Sequence, residues 1–377
     1  MKLSLEIAFF GSSLVSAYWN GTATYYRGIV RALAARGHRI TFFEPDILDR
    51  QKHRDMADPP WAEVVVYSGT DRDDAYRMLE RARRADVIIK ASGIGAFDAL
   101  LEDEVPRAVK PGALSIFWDV DAAATLERLR ANPDDPFRAT IPRYDLVFTY
   151  GGGPPVVRGY VEVGARLCVP VYNGLDPTTH FPVPADPRWF ADLSLLANRL
   201  PDNEARVREL LFRAAGLLPQ KTFLLGGSGW GPQGFAGAER PGGGAPPNVR
   251  AIGHVYTSDH NAFNASSRCV LSITRDSMAA NGWSPPARVF EAAGAGACLI
   301  TDDWEGVDVF LEPGREILVA KDGEEVARLL RDLDPIHARE IGAAARTRVL
   351  THHTYAQRAK LVDSILVTNA PAMEVAP

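Results

Sequence analysis

Asn281-Gly-Trp-Ser-Pro-Pro-Ala-Arg288-Val-Phe-Glu291-Ala-Ala-Gly-Ala-Gly-Ala297-Cys-Leu-Ile-Thr-Asp302-Asp-Trp-Glu-Gly-Val-Asp-Val-Phe310 is the stretch on which the fold turns. A turn rich in Gly and Pro leads into a short helix, with Arg288 and Glu291 one helical turn apart on it. The apolar run Ala297–Thr301 follows as a buried strand and ends in acidic residues. This layout suits a nucleotide diphosphate. Backbone N–H groups at a helix start attract the pyrophosphate, Arg288 adds charge-assisted hydrogen bonds, and Glu291 can accept from ribose hydroxyls. An ordinary helix that opens with Pro and carries an i,i+3 ion pair fits the same residues.

Working outward, the chain repeats this alternation. Leu5–Phe10 is a buried-strand pattern followed by Gly11-Ser12-Ser13, a helix over 22–35 stopped by Gly37, and a second strand over Arg39–Glu44. This βαβ unit opens a Rossmann-like domain, but Gly11 lacks the GxGxxG spacing of a dinucleotide site, which argues against a nicotinamide dehydrogenase. Further strands are expected at Glu63–Tyr67, Asp86–Lys90, Leu114–Trp118 and Asp145–Tyr150, with helical patterns in most of the gaps. The pattern predicts a parallel sheet covered on both faces, with ligand-facing groups at the carboxyl ends of the strands. Four such ends are polar or rich in glycine: Gly11-Ser-Ser, Ser92-Gly-Ile-Gly95, Trp118-Asp-Val-Asp121 and Tyr150-Gly-Gly-Gly153. Residues 173–190, dense in Pro, Asn and Asp, read as a linker. A second α/β series then starts at Asp192, with a helix near 203–216, strands at Thr222–Leu225, Val249–Ile252 and Cys269–Thr274, and a long loop between Trp230 and Asn248. A final helical pattern runs from His337 to Val367 with a break near Thr351–Thr354.

Composition narrows the class. A chain of 377 residues exceeds the usual size of one core, so two domains are expected. It is 46% hydrophobic and 24% charged, as soluble globular proteins are. A net charge of -5 without a long basic face argues against nucleic-acid binding. The densest arginine cluster, Arg77 to Arg84, lies on a helical pattern with Tyr76, Leu79 and Ala82 toward a core and the arginines solvated. Cys168, Cys269 and Cys298 are widely spaced among aliphatic residues and read as buried reduced thiols. With no signal-peptide pattern and no membrane-length apolar segment, a cytoplasmic protein with at most peripheral membrane contact is expected.

In order and spacing, several motifs together resemble a known family. They are Phe117-Trp-Asp-Val-Asp-Ala-Ala-Ala-Thr-Leu, Tyr150-Gly-Gly-Gly, Gly164-Ala-Arg, Asp176-Pro-Thr-Thr-His-Phe-Pro, Asp192-Leu-Ser-Leu-Leu-Ala-Asn, Ile273-Thr-Arg-Asp-Ser-Met, Gly282-Trp-Ser-Pro-Pro-Ala-Arg-Val-Phe-Glu-Ala and Asp303-Trp-Glu-Gly. Over nearly its whole length the chain resembles the CgeB-like, spore-maturation type glycosyltransferases, relatives of the group-1 glycosyltransferases. The resemblance implies the GT-B fold: two Rossmann-like α/β domains facing each other across a cleft, with a C-terminal helix crossing back to the first domain. The expected boundaries are 1–172 for an acceptor-side domain, 173–190 for the linker, 191–350 for a nucleotide-sugar-binding domain, 351–368 for the crossover helix and 369–377 for a disordered tail. Two departures stand out. Ala122-Ala123 follow the second aspartate where Thr-Pro is usual, and Trp283 stands where group-1 enzymes carry a second glutamate, with seven residues between it and Glu291. The donor-sugar contact of that glutamate must come from elsewhere, such as the backbone amides of Asn281–Ser284.

The implied activity is sugar transfer from a nucleotide-activated donor to an unidentified acceptor. No cofactor beyond that co-substrate and no metal are expected, since no His, Asp, Glu or Cys cluster has ligand spacing. Donor-binding candidates are Arg199, Gly227, Ser228, Arg275, Gly282, Trp283, Ser284, Arg288 and Glu291. Catalytic candidates are Asp119 and Asp121, as acceptor base or ligand to sugar hydroxyls, with a helix N-cap as the structural alternative for Asp121. Acceptor-side candidates are Gly11, Ser12, Tyr18, Trp19, Asn20 and Gly152. His180 and His254 lie in turn-like stretches and read as structural, and His352 and His353 as packing residues of the crossover helix. Two alternatives remain: a nucleotide-sugar 2-epimerase, and a non-catalytic protein that binds a nucleotide sugar.

Overall fold

The computed structural model describes residues 4–18, 20–230 and 245–369. Contacts divide the chain into two units, Met1–Asn173 with Tyr355–Pro377, and Gly174–Thr354. In the first unit β1 (Glu6–Phe10), β2 (Arg39–Asp46), β3 (Glu63–Ser68), β4 (Val87–Ala91), β5 (Leu114–Asp119), β6 (Leu146–Thr149) and β7 (Cys168–Pro170) form one sheet. Their order is β3-β2-β1-β4-β5-β6-β7, and every pair is parallel. A parallel sheet must be covered on both faces, and the two-residue side-chain period divides its residues between them. Ile7 and Phe9 join one core with Tyr25, Tyr26 and Ile29, while Ala8 and Phe10 join another with Phe43, Ile88 and Phe117. Tyr355, Ala359, Val362 and Leu366 of the helix Tyr355–Asn369 complete the first core. The C-terminal segment therefore packs as part of this first unit.

The second unit repeats the plan with β8 (Ala191–Leu196), β9 (Phe223–Gly226), β10 (Val249–Gly253), β11 (Ser267–Ser272), β12 (Leu299–Asp302) and β13 (Leu318–Ala320). The order is β10-β9-β8-β11-β12-β13, again parallel throughout. Leu193, Leu195, Cys269, Leu271 and Ile300 form its main core. The stretch expected as a linker is pinned along this unit. The Asn261 amide donates to the Thr179 carbonyl at 2.9 Å and accepts from the Phe181 N–H at 3.2 Å, and Ser266 Oγ accepts from the Asp186 N–H at 2.8 Å.

Several local expectations shift. Leu79 and Ala82 are buried, but Tyr76 is exposed beneath the Arg72 guanidinium because Ala75 takes the inward position one residue earlier. Arg77, Arg81 and Arg83 pair with Asp71, Asp74, Glu63 and Glu80 on a solvated face. All three cysteines are buried and free, and burial pushes the Cys168 thiol up to about 12. No helix among the described residues is long and apolar enough to cross a membrane. Most of the loop expected between Trp230 and Asn248, and the tail from residue 370, lie outside the described residues.

Candidate functional site

Strand order reverses direction between β1 and β4 in the first sheet and between β8 and β11 in the second. Beyond the carboxyl ends of the strands at such a point the crossover helices diverge to opposite faces and leave a crevice. In the second unit three candidate arginines gather there. Arg199 follows β8 and Arg275 follows β11, while the Arg288 guanidinium reaches from the helix Ala287–Gly294 to the Ile273 carbonyl just past β11, at 3.2 Å. Arg199 is held in a fork by Glu204, with Nε–Oε2 2.8 Å and Nη2–Oε1 2.9 Å. These hydrogen bonds are the largest reason the Glu204 carboxyl is held below its ordinary pKa. Arg275 Nε donates to Asp202 at 2.7 Å. Beneath them Arg206 bridges Asp276 and the buried Asp302, whose oxygens also accept from the Thr274 N–H and hydroxyl. Burial raises the Asp302 pKa despite those bonds.

Several backbone groups expected to meet a diphosphate are committed elsewhere. The Gly227 N–H donates to the Gly253 carbonyl at 2.7 Å, and the Ser228 N–H to Asn198 Oδ1 at 3.0 Å. Glycine is obligatory at 227: its φ is 125°, and a Cβ there would lie 2.0 Å from the Ala197 carbonyl oxygen. This turn shapes the end of β9, and neither of those amides is presented to a ligand. The Gly282 N–H closes the preceding helix onto the Met278 and Ala279 carbonyls, and the Trp283 N–H donates to the Glu305 carbonyl at 2.6 Å. The buried Ser284 hydroxyl donates to the Gly282 carbonyl at 2.9 Å. Pro285 and Pro286 have no N–H. The expected row of amides from Asn281 to Ser284 is thus largely consumed by turn geometry.

The strand ends of the first unit are also internally bonded. Gly11 lies against the Phe42 ring, and its N–H donates to the Phe43 carbonyl. Ser12 Oγ donates to Asn20 Oδ1 at 2.9 Å, and the Asn20 amide bonds the Ser13 and Ser16 carbonyls. Both side chains are buried and brace the loop after β1. Tyr18 is exposed and stacks on His53 with ring centroids 4.0 Å apart. Trp19 lies outside the described residues. Gly152 is the N-cap of the helix Gly153–Glu162.

Asp119 differs most from expectation. It is wholly buried and accepts from Ser92 Oγ at 2.7 Å, from the Asp121 N–H at 2.9 Å and from the Tyr160 hydroxyl. A carboxylate with its lone pairs engaged in this way ties the ends of β4 and β5 to the helix Gly153–Glu162. Asp121 is half-buried at the start of the helix Ala122–Ala131, and its side chain makes no capping hydrogen bond. Of the pair, Asp121 is the less buried.

Two groups of polar residues went unrecognised in the sequence. Lys90 is fully buried on β4 and pairs with Asp98 at 2.7 Å and Glu102 at 3.4 Å, an internal ion network behind the glycine-rich loop 92–95. In the second unit His180, His260 and Glu291 bring ligating atoms within 4.8 Å of one another. This is a metal-capable cluster where none was expected. His180 is far from the other two in sequence, and His260 drew no attention, so no spacing rule could reveal the group.

Comparisons with known proteins agree with this architecture. Residues 206–363 match the family described as glycosyl transferase-like, a segment that includes Arg206, Arg275, Arg288 and Glu291. Sucrose-phosphate synthase from Thermosynechococcus elongatus is similar in structure, with a TM-score of 0.68 at 16% identity over 96% of this chain and 98% of that one. Anabaena HepE, solved in complex with UDP and glucose, is similar with a TM-score of 0.65 at 14% identity over 97% of this chain and 100% of that one. An alpha-glucosyltransferase solved with UDP-glucose and DNA containing an abasic site gives 0.67 at 12% identity over 97% of this chain and 100% of that one. No curated protein matches the chain in sequence. The two Rossmann-like parallel sheets are those of the GT-B fold, and the second of them carries most of the segment that matches the glycosyl transferase-like family.

Proposed function

We propose that this protein transfers a sugar from a nucleoside-diphosphate donor to an acceptor without a metal at the diphosphate, and that the nucleotide lies on the second unit. The observation that carries this reading is the gathering of Arg199, Arg275 and Arg288 at the reversal point of the second sheet, all but Arg199 within the glycosyl transferase-like segment. In the reaction the bond from the anomeric carbon to the diphosphate oxygen breaks. A bond to an acceptor oxygen forms, and the acceptor's proton passes to a base. Negative charge grows on the leaving diphosphate, and preorganised cations there are worth most where water is excluded. Arg199 and Arg275 are already oriented by Glu204 and Asp202, so an incoming diphosphate exchanges one anionic partner for another and spares much of the entropy of ordering long side chains. Glu291 accepts from the ribose hydroxyls in this reading, and Asp121 is the carboxylate on the acceptor side. With the amides of Gly227, Ser228, Gly282 and Trp283 engaged elsewhere, the arginines carry most of the diphosphate recognition. The neighbours solved with UDP or UDP-glucose make a uridine nucleotide the first donor to test.

Calorimetric titration of UDP, GDP and dTDP into wild type and Glu291→Ala tests the assignment. One nucleotide is expected to bind, and loss of the charged hydrogen bonds should weaken it by about 1.5–3 kcal/mol. Equal affinity for that nucleotide in the variant removes Glu291 from the ribose.

A further inference from the structure

The helix Ala287–Gly294 presses closely on the segment that enters the second unit. A Cβ at Gly294 would lie 2.4 Å from the Leu175 side chain and 3.0 Å from the His180 carbonyl oxygen. Glu291, one turn earlier on that helix, is thereby brought beside His180, and His260 joins them from the start of the helix His260–Ser266. Each of the two imidazoles has a polar neighbour. Thr179 Oγ1 lies 3.1 Å from the Asp176 carbonyl and 2.9 Å from His180 Nδ1, so Nδ1 has a polar partner. His180 Nε2 is the other ring nitrogen. It is buried, in a side chain whose residue is only 4% exposed, and it has no hydrogen-bond partner. His260 Nε2 faces the Val255 carbonyl at 3.3 Å, and a carbonyl only accepts, so the N–H sits on Nε2 and the lone pair on Nδ1.

Two imidazoles and a carboxylate thus bring one ligating atom each within 4.8 Å of one another, and a buried ring nitrogen of His180 is left without a partner. A buried polar nitrogen without a partner is costly, and a cation bound through its lone pair resolves the arrangement. We propose that His180, His260 and Glu291 form a binding site for a transition-metal cation, Zn²⁺ being the ion whose ligand preferences it fits. Nitrogen and carboxylate ligands at about 2.0–2.1 Å from zinc lie roughly 3.3 Å apart in a tetrahedral site, with solvent or another ligand in the fourth position. The present spread of up to 4.8 Å closes by a modest rotation of the half-buried Glu291 side chain. The Thr179 hydroxyl and the Val255 carbonyl act as the outer partners that orient metal-bound histidines. The site uses none of the arginines assigned to the diphosphate, but it engages Glu291. If the ribose reading above is right, zinc and nucleotide compete for that carboxylate; metal binding itself does not depend on that reading.

Titration of the whole chain with ZnCl₂ in a non-chelating buffer tests the site, with Co²⁺ absorption as a spectroscopic probe of coordination. One saturable zinc per chain is expected. Affinity should fall by about tenfold or more in each of His180→Gln, His260→Ala and Glu291→Gln, and remain unchanged in the surface control His337→Ala. Thermal melts confirm that each variant is folded, and half-exposed His260 supplies a variant that spares the buried core. Absence of saturable binding, or undiminished binding in folded His260→Ala and His180→Gln, overturns the proposal. UDP titrations with and without saturating zinc then separate the two ideas. Weaker UDP binding in the presence of zinc, in wild type but not in His180→Gln, supports both. Zinc binding that depends on the histidines but leaves UDP affinity unchanged supports the metal site and removes Glu291 from the nucleotide.

Discussion

Asp119→Asn is expected to act through stability. The native carboxylate accepts from Ser92, the Asp121 backbone and Tyr160, and all three partners depend on it inside the sheet edge. Burial and the neighbouring Asp119 charge raise the Tyr160 pKa well above its ordinary value, so that hydroxyl is a committed donor. An asparagine has one acceptor oxygen, and its NH₂ must face a group that already donates, so at least one charge-assisted hydrogen bond is lost. Such a bond contributes about 1.5–3 kcal/mol. For domains of about 150–250 residues each kcal/mol moves the midpoint by roughly 2–4 °C, which gives a fall of about 3–12 °C. Asp121 is half-buried at a helix start, where Asn serves about as well as Asp, so Asp121→Asn should change stability by less than about 0.5 kcal/mol. If Asp121 is the acceptor-side base, the same variant should lower turnover by about 10²-fold or more. Circular-dichroism melts of both variants, with sugar transfer measured well below either midpoint, separate the two roles. An Asp119→Asn midpoint within about 1 °C of wild type would refute the reasoning, because the buried bonds would then contribute nothing.

Two further outcomes are expected. Burial alone would raise the Asp363 pKa, but Arg36 and His38 outweigh it and hold the carboxyl below its ordinary value. A depressed folded-state pKa means that the unfolded chain binds the proton first. The pair's contribution is thus full above about pH 4 and is lost as pH falls through the folded-state value. Acid titrations of stability should show wild type and Asp363→Asn converging below about pH 4, and a gap that stays constant from about pH 6 to pH 3 would contradict this. Sugar transfer should also survive chelation, because the arginines neutralise the diphosphate in the proposed reaction; loss of transfer in EDTA, restored by Mn²⁺ or Mg²⁺, would contradict that assignment.

The sequence by itself determined the alternation of strands and helices, and with it the fold. Hydrophobic runs such as Leu5–Phe10 and Cys269–Thr274 are local signals, and each reappears as a parallel strand. The three-residue strands β7 and β13 escaped notice because so short a run shows no alternation. Arg199, Arg275 and Arg288 were legible for a related reason: a charged residue just past a strand, or on the helix that follows, falls at the ligand edge of an α/β sheet wherever its partners lie. Hydrogen-bond commitments were settled only by tertiary structure. Whether the Trp283 N–H is available depends on the Glu305 carbonyl, and whether Gly227 is available depends on Gly253. Asp119 looked like a ligand at a strand end until Ser92 and Tyr160, from other elements, closed over it. His180, His260 and Glu291 meet only because the segment after Gly174 folds back against the helix that carries Glu291. Periodicity is a property of neighbours along the chain, whereas satisfaction of a buried polar atom depends on whichever groups the fold delivers to it.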